Sequence, residues 1–215
     1  MIRMIVSFWR AVACALLAYG ACVGPASASF STAMYVPCGS TEGIGSFRAE
    51  LSYLYTGGTS ATISVTFTND VAPSLGGYIT AVALSPNGTA SGMTFVSSTS
   101  AAFIGISSPV SAPPYGTFAA GAGLNGSFLG GGNPSGGIGV GGSETFTFMV
   151  TGSAAALAAL DAETALRQNG YGMVVRFRGG VGGWSDKVVG CALPAPGALA
   201  LLGAVGLIRT RRTRA

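Results

Sequence analysis

The sequence predicts an all-β fold: an antiparallel β-sandwich of about seven or more strands with one short helix, an N-terminal signal helix and a C-terminal transmembrane helix. Three observations predict it. Apolar residues alternate with hydroxyl residues over several short segments, 35 glycines and 10 prolines break the chain between them, and apolar runs next to arginines stand at the two ends.

The strands follow from the alternation. In residues 61–68, Ile63, Val65 and Phe67 share one face and hydroxyls occupy the other. Residues 144–150 repeat this with Phe146, Phe148 and Val150, and Leu51, Tyr53 and Tyr55 form a third such row. Tyr171, Met173, Val175 and Phe177 form a fourth, opposite Val174, Arg176 and Arg178. Shorter runs over residues 78–84, 93–96 and 102–106 fill the interval. A period of two with one apolar face is what a sheet half buried against another requires.

Two segments depart from that pattern. Residues 153–168 are rich in Ala and Leu, with Ser153 as N-cap and Asn169-Gly170 as stop, and read as a short helix that Asp161 breaks. Residues 110–142 hold twelve glycines and read as a long loop, either a mobile binding loop or an irregular surface loop with tight turns. No Gly-Lys-Ser/Thr follows these glycines, so they do not form a phosphate loop.

The net charge of +4 belongs to the ends. Arg3 and Arg10 lie at the start, and Arg209, Arg211, Arg212 and Arg214 crowd the last seven residues. Between them stand five basic residues against seven acidic ones, so the domain is net −2 and no nucleic-acid partner is expected. Histidine is absent, which removes Ser-His-Asp and Cys-His catalysis and the commonest transition-metal ligand. The acids are scattered without a glycosidase pair or an Asp-x-Asp-x-Asp-Gly calcium loop, leaving for calcium only a single carboxylate joined by backbone carbonyls. The expected catalytic, cofactor and metal residues are therefore none.

At the N-terminus, Arg3 and Arg10 precede an apolar run, and Ala26-Ser27-Ala28 supplies a small-residue cleavage site before Ser29. Residues 1–28 thus read as a signal peptide engaging the secretion machinery. An uncleaved anchor helix, or a lipoprotein signal through Cys22, is the alternative. The exported domain spans residues 29–191. Residues 192–215 form a tail: Pro194-Ala195-Pro196, an apolar helix over about 197–208, and a basic end over 209–214. The arginines would keep that end in the cytoplasm and leave the domain outside.

Pro-x-Pro, a Leu/Gly/Ala helix and a terminal arginine cluster, in that order, resemble the PEP-CTERM sorting signal, here with Ala195 where the family has Glu. The resemblance implies recognition by an exosortase-type membrane enzyme, transient inner-membrane anchoring, cleavage near Pro194-Ala195-Pro196 and delivery to the cell surface or extracellular matrix. Thr68-Asn69, Gly76–Val82, Phe128–Gly132, Gly142–Phe148, Val174–Gly179 and Ser185–Val188 resemble a recurrent type of PEP-CTERM protein. That likeness implies a sandwich and no known activity.

Once the signal is removed, Cys38 and Cys191 remain, either as a disulfide or as two separate thiols. Trp184, Asp186 and Lys187, beside the strand carrying Arg176 and Arg178, read either as a polar and aromatic sugar-binding surface or as a structural turn over the core. The expected function is a non-catalytic exported surface or matrix protein associated with exopolysaccharide. A carbohydrate-binding module is the alternative, and a secreted hydrolase comes third.

Overall fold

The computed structural model describes residues 28–193. Ala26, the tail residues Pro194, Ala195 and Pro196, and Arg209, Arg211, Arg212 and Arg214 lie outside the described residues, as does the expected transmembrane helix. Among the described residues no helix is long and apolar enough to cross a membrane.

The strands are β1 (Ser29–Ser40), β2 (Phe47–Tyr55), β3 (Ser60–Asn69), β4 (Gly76–Leu84), β5 (Gly92–Ser98) and β6 (Phe103–Ile106). They continue with β7 (Val110–Ser111), β8 (Thr117–Phe118), β9 (Ala120–Leu124), β10 (Ser143–Thr151), β11 (Met173–Gly180) and β12 (Ser185–Ala192). Ten of them form one antiparallel sheet in the order β5-β10-β3-β2-β1-β12-β11-β4-β9-β6. The sheet rolls until its end strands, β5 and β6, lie against each other, so the fold is nearly a closed barrel. The two layers of the expected sandwich are opposed walls of this one sheet.

Alternation decides what goes inside. Leu51, Tyr53, Ile63, Val65, Phe67, Phe146, Phe148, Val175 and Phe177 are fully buried in one core. Burial of each such side chain contributes about 1.5–3 kcal/mol relative to leaving it in water. Phe146 stands edge-on to Phe67 and Phe103, with ring centroids 5.7 and 5.0 Å away.

Outside, the barrel has two unlike halves. On β1, β2, β3, β10 and β5 the outer residues Thr32, Ser52, Ser64, Thr147 and Ser97 lie in one cross-strand row, with no further layer of chain described over them. Over β12, β11, β4 and β9 a second cluster covers the outer face. Val110, Ala112, Phe118 and Phe128 are buried there on Ala81, Ala83, Val174 and Val189.

Three expectations are corrected. The helix expected over residues 153–168 is a single short helix, α1 (Ala154–Ala158), capped by Ser153, whose Oγ accepts the Ala156 N–H at 3.2 Å. Asp161, beyond the helix end at Ala158, caps a separate turn: its Oδ1 accepts both the backbone N–H and the hydroxyl of Thr164, at 2.9 and 2.7 Å. The loop expected over residues 110–142 instead contains the β7–β8 ribbon and the buried strand β9, so the irregular stretch begins at Asn125. Tyr171, expected inward with Met173, precedes β11 and stands 39% exposed against Tyr115. The turn around Gly170, at φ +99°, puts it out of phase with the strand.

Candidate functional site

The residues singled out on β11 and β12 divide between the two faces of the sheet, and Asp186 stands where β12 meets β1, the seam between the two halves. Asp186 is 1% exposed and points inward. Its carboxylate accepts six hydrogen bonds from the end of β1 and the chain that follows it. The donors are the hydroxyls of Ser40 (2.6 Å) and Thr41 (2.8 Å) and the backbone N–H groups of Thr41 (3.0 Å), Glu42 (3.0 Å), Ile44 (2.9 Å) and Gly45 (2.8 Å). Burial pushes this carboxyl up, but the bonds from Ser40, Gly45, Ile44 and Thr41 outweigh it and bring it down to about 2. Its acceptor sites are filled by the chain itself, which fits a structural tie.

Trp184 is a plug. Its indole N–H donates to the Leu75 carbonyl at 3.0 Å, and its ring lies 6.4 Å from that of Phe177. The ring occupies the space a side chain would need at Gly77 and Gly180; a Cβ at Gly77 would come 2.7 Å from the indole. The structural turn is thus the arrangement found for Asp186 and Trp184.

Arg176 and Arg178 stay on the outer face. Arg176 Nη1 donates to the carbonyls of Phe128 (2.8 Å) and Gly130 (3.1 Å), and Arg178 Nη1 donates to the same Gly130 oxygen (2.9 Å). The two guanidiniums therefore clamp the start of the glycine-rich segment onto the sheet. Burial, then the neighbouring Arg178 charge, lowers the Arg176 pKa. Lys187 is directly opposite Arg176 in the β11–β12 register, on the same outer face.

Next along that face lies an aromatic pair that the sequence pattern did not reveal. Tyr115, from the turn between β7 and β8, meets Tyr171 edge-on at 5.1 Å. Burial raises the Tyr115 pKa, with smaller contributions from the Asp186 and Tyr171 charges. A tyrosine in a Pro-Pro-Tyr-Gly turn carries no periodic signal, so only the folded ribbon brings it here. The hydroxyls of both rings reach over Gly39.

Cys38 and Cys191 are joined, with S–S 2.00 Å and Cα–Cα 5.7 Å. Their bond ties β1 to β12 beside the tyrosines, and Cys38 is the extra residue of a bulge between Pro37 and Gly39. Ser29 opens β1 opposite Tyr55, and Leu193 closes the described chain by donating its N–H to the Met34 carbonyl at 2.8 Å.

Among the described residues no group of three His, Cys, Asp or Glu gathers as a metal site. Asp70 is held by Arg48 at 2.9 Å. Asn87 and Asn125 both serve turns: Asn87 Oδ1 accepts the Thr89 N–H at 3.0 Å, and Asn125 has φ +62°. Comparison with protein-family models, curated proteins and solved structures finds no match to this chain.

Proposed function

We propose that this chain is a non-catalytic exported protein of the cell surface or extracellular matrix, sorted by its PEP-CTERM-like tail and associated with exopolysaccharide. The observation that supports the reading is the Cys38–Cys191 bond, which fastens the first strand to the last just inside the two expected processing points. The first strand starts at Ser29, directly after the Ala26-Ser27-Ala28 site, and the last ends at Ala192, two residues before Pro194. A disulfide across the ends suits an oxidising compartment. It also gives a domain that stays closed when both end segments are removed.

Fractionation of the native host with mass spectrometry of the mature termini tests this. The expected product starts at Ser29, ends near Pro194–Pro196, and is found at the surface or in the matrix. Recovery of the protein in the cytoplasm with Met1 intact would overturn it.

A further inference from the structure

Three cations share one patch of the outer face, and among the described residues none of them forms an ion pair. Arg176 and Lys187 are opposed across β11 and β12, so their Cβ atoms lie about 5 Å apart. Arg178 follows two residues along the same face and shares the Gly130 carbonyl with Arg176. Like charges placed this way repel each other and cost stability. Among the described residues the ion pair formed is Arg48–Asp70, on the other half of the barrel, and Asp186 turns its charge inward. Both guanidiniums use Nη1 on loop carbonyls, and among the described residues their Nε and Nη2 and the Lys187 ammonium have no partner. The clamp on Phe128 and Gly130 therefore holds donor forks in place that are still open on their other side.

One row along the same face stand Val174 and Val189, members of the cluster against which Tyr115 packs, and Tyr115 in turn meets Tyr171. Farther along that face, five residues before Arg176 in the chain, Tyr171 is 39% exposed. Fixed cations beside an exposed ring suit a carboxylate and the apolar face of a sugar together.

We propose that this patch binds an acidic polysaccharide: Arg176, Arg178 and Lys187 hold the carboxylates of successive sugars, and Tyr171 supports a neighbouring ring. The choice of a glycan among polyanions rests on the exported, surface-located reading above. The domain's net charge of −2 argues against a long nucleic acid, which needs basic groups spread along its phosphates. Exposed apolar side chains are divided between the halves, with Phe30, Leu54, Val96 and Met149 on one and Leu129, inside the clamped segment, and Val181 on the other, so anionic vesicles enter the test as the competing polyanion.

Affinity electrophoresis of the full-length, disulfide-intact chain tests the proposal, with polygalacturonate or neutral dextran in the gel. Polygalacturonate should retard the protein, dextran should not, and added salt should weaken the retardation. Lys187→Glu should lower affinity about tenfold with an unchanged thermal midpoint, because the Lys187 ammonium holds nothing in the fold. Ser97→Glu makes an acidic change on β5, in the other half, and should leave most of the affinity. Equal loss in the two variants would overturn the proposal, as would retardation by dextran, none by either polymer, or retention on duplex DNA or anionic vesicles in place of the polyuronate. Such a failure leaves the termini found in the host unchanged, so it is distinguishable from failure of the sorting reading.

Discussion

The bare and covered halves of the barrel share one core but differ on the outside. On β3 of the bare half, buried Ile63, Val65 and Phe67 alternate with half-buried Thr62, Ser64 and Thr66. On β9 of the covered half all five residues, Ala120 to Leu124, are buried. The difference is one of room. A Cβ at Gly121 would come 2.7 Å from the Val82 carbonyl oxygen and 3.3 Å from Val110, so the outer layer sits where side chains are missing. Glycine here is what lets a second layer approach the sheet. The hydroxyl face and the glycine-rich strand are two solutions to the outside of the same barrel, one meeting solvent and one meeting chain.

The bond at the seam offers the largest way to break this pairing of halves. Cys38 and Cys191 are 153 residues apart, and the chain-entropy account assigns closure of such a loop about 5 kcal/mol, lowered by residual structure in the unfolded chain. A Cys38→Ser, Cys191→Ser variant should lose about 3–5 kcal/mol in urea unfolding. A loss below about 1 kcal/mol would mean that strand pairing alone joins the halves.

How much the sequence reveals also divides along the seam. In the bare half, period two is visible because one face is wet, so residues 61–68 and 144–150 were legible as strands with their inward residues assigned. In the covered half both faces are dry, and Ala120-Gly-Ala-Gly-Leu124 carries no alternation to read, so β9 vanished into an apparent loop. The helix was overextended for a related reason. Ala and Leu in residues 154–166 suit a helix, but Ala162, Ala165 and Leu166 are buried by the barrel without being helical. At the site, Arg176, Arg178, Trp184, Asp186 and Lys187 were legible as a group. Their division into inward tie, plug and outward cations needed the register, and Tyr115 needed the ribbon.

Acid offers the second test, because the seam is also held by Asp186. Its folded value of about 2 lies below the usual carboxylate range, so at pH between the two values the unfolded chain binds more protons. Its contribution is fully present above about pH 4 and is lost as pH falls from about 4 through 2. Because the donor residues Thr41 and Glu42 are exposed to water, the loss should be held to about 1–2 kcal/mol. Asp186→Asn should lower stability at pH 7 and flatten the slope of the thermal midpoint in that window. A variant that kept the wild-type slope would assign the acid response to other carboxylates.

The smallest effects sharpen the comparison itself, and two single substitutions isolate it. In the covered half, Gly137 has an ordinary extended backbone, φ −84° and ψ −174°, so alanine is allowed there by its dihedrals. What forbids it is closeness: a Cβ would collide with the backbone carbonyl of Ile79, at the bridge where Ile79 and Ile138 exchange hydrogen bonds of 3.0 and 2.9 Å. Neither backbone can yield alone, so Gly137→Ala should cost about 1–3 kcal/mol. Gly131, in the same segment with nothing near its Cβ position, supplies the control and should accept alanine without measurable loss. In the bare half, Thr66→Ala removes a hydroxyl paired with that of Thr145 at 2.8 Å on the outer face. Water can replace that partner, so the cost should stay at about 0.5–1 kcal/mol. Urea midpoints for the three variants at constant m decide the matter. If Thr66→Ala cost more than Gly137→Ala, the chain bridged to β4 would pack loosely, and the closeness attributed to Gly137 would be wrong.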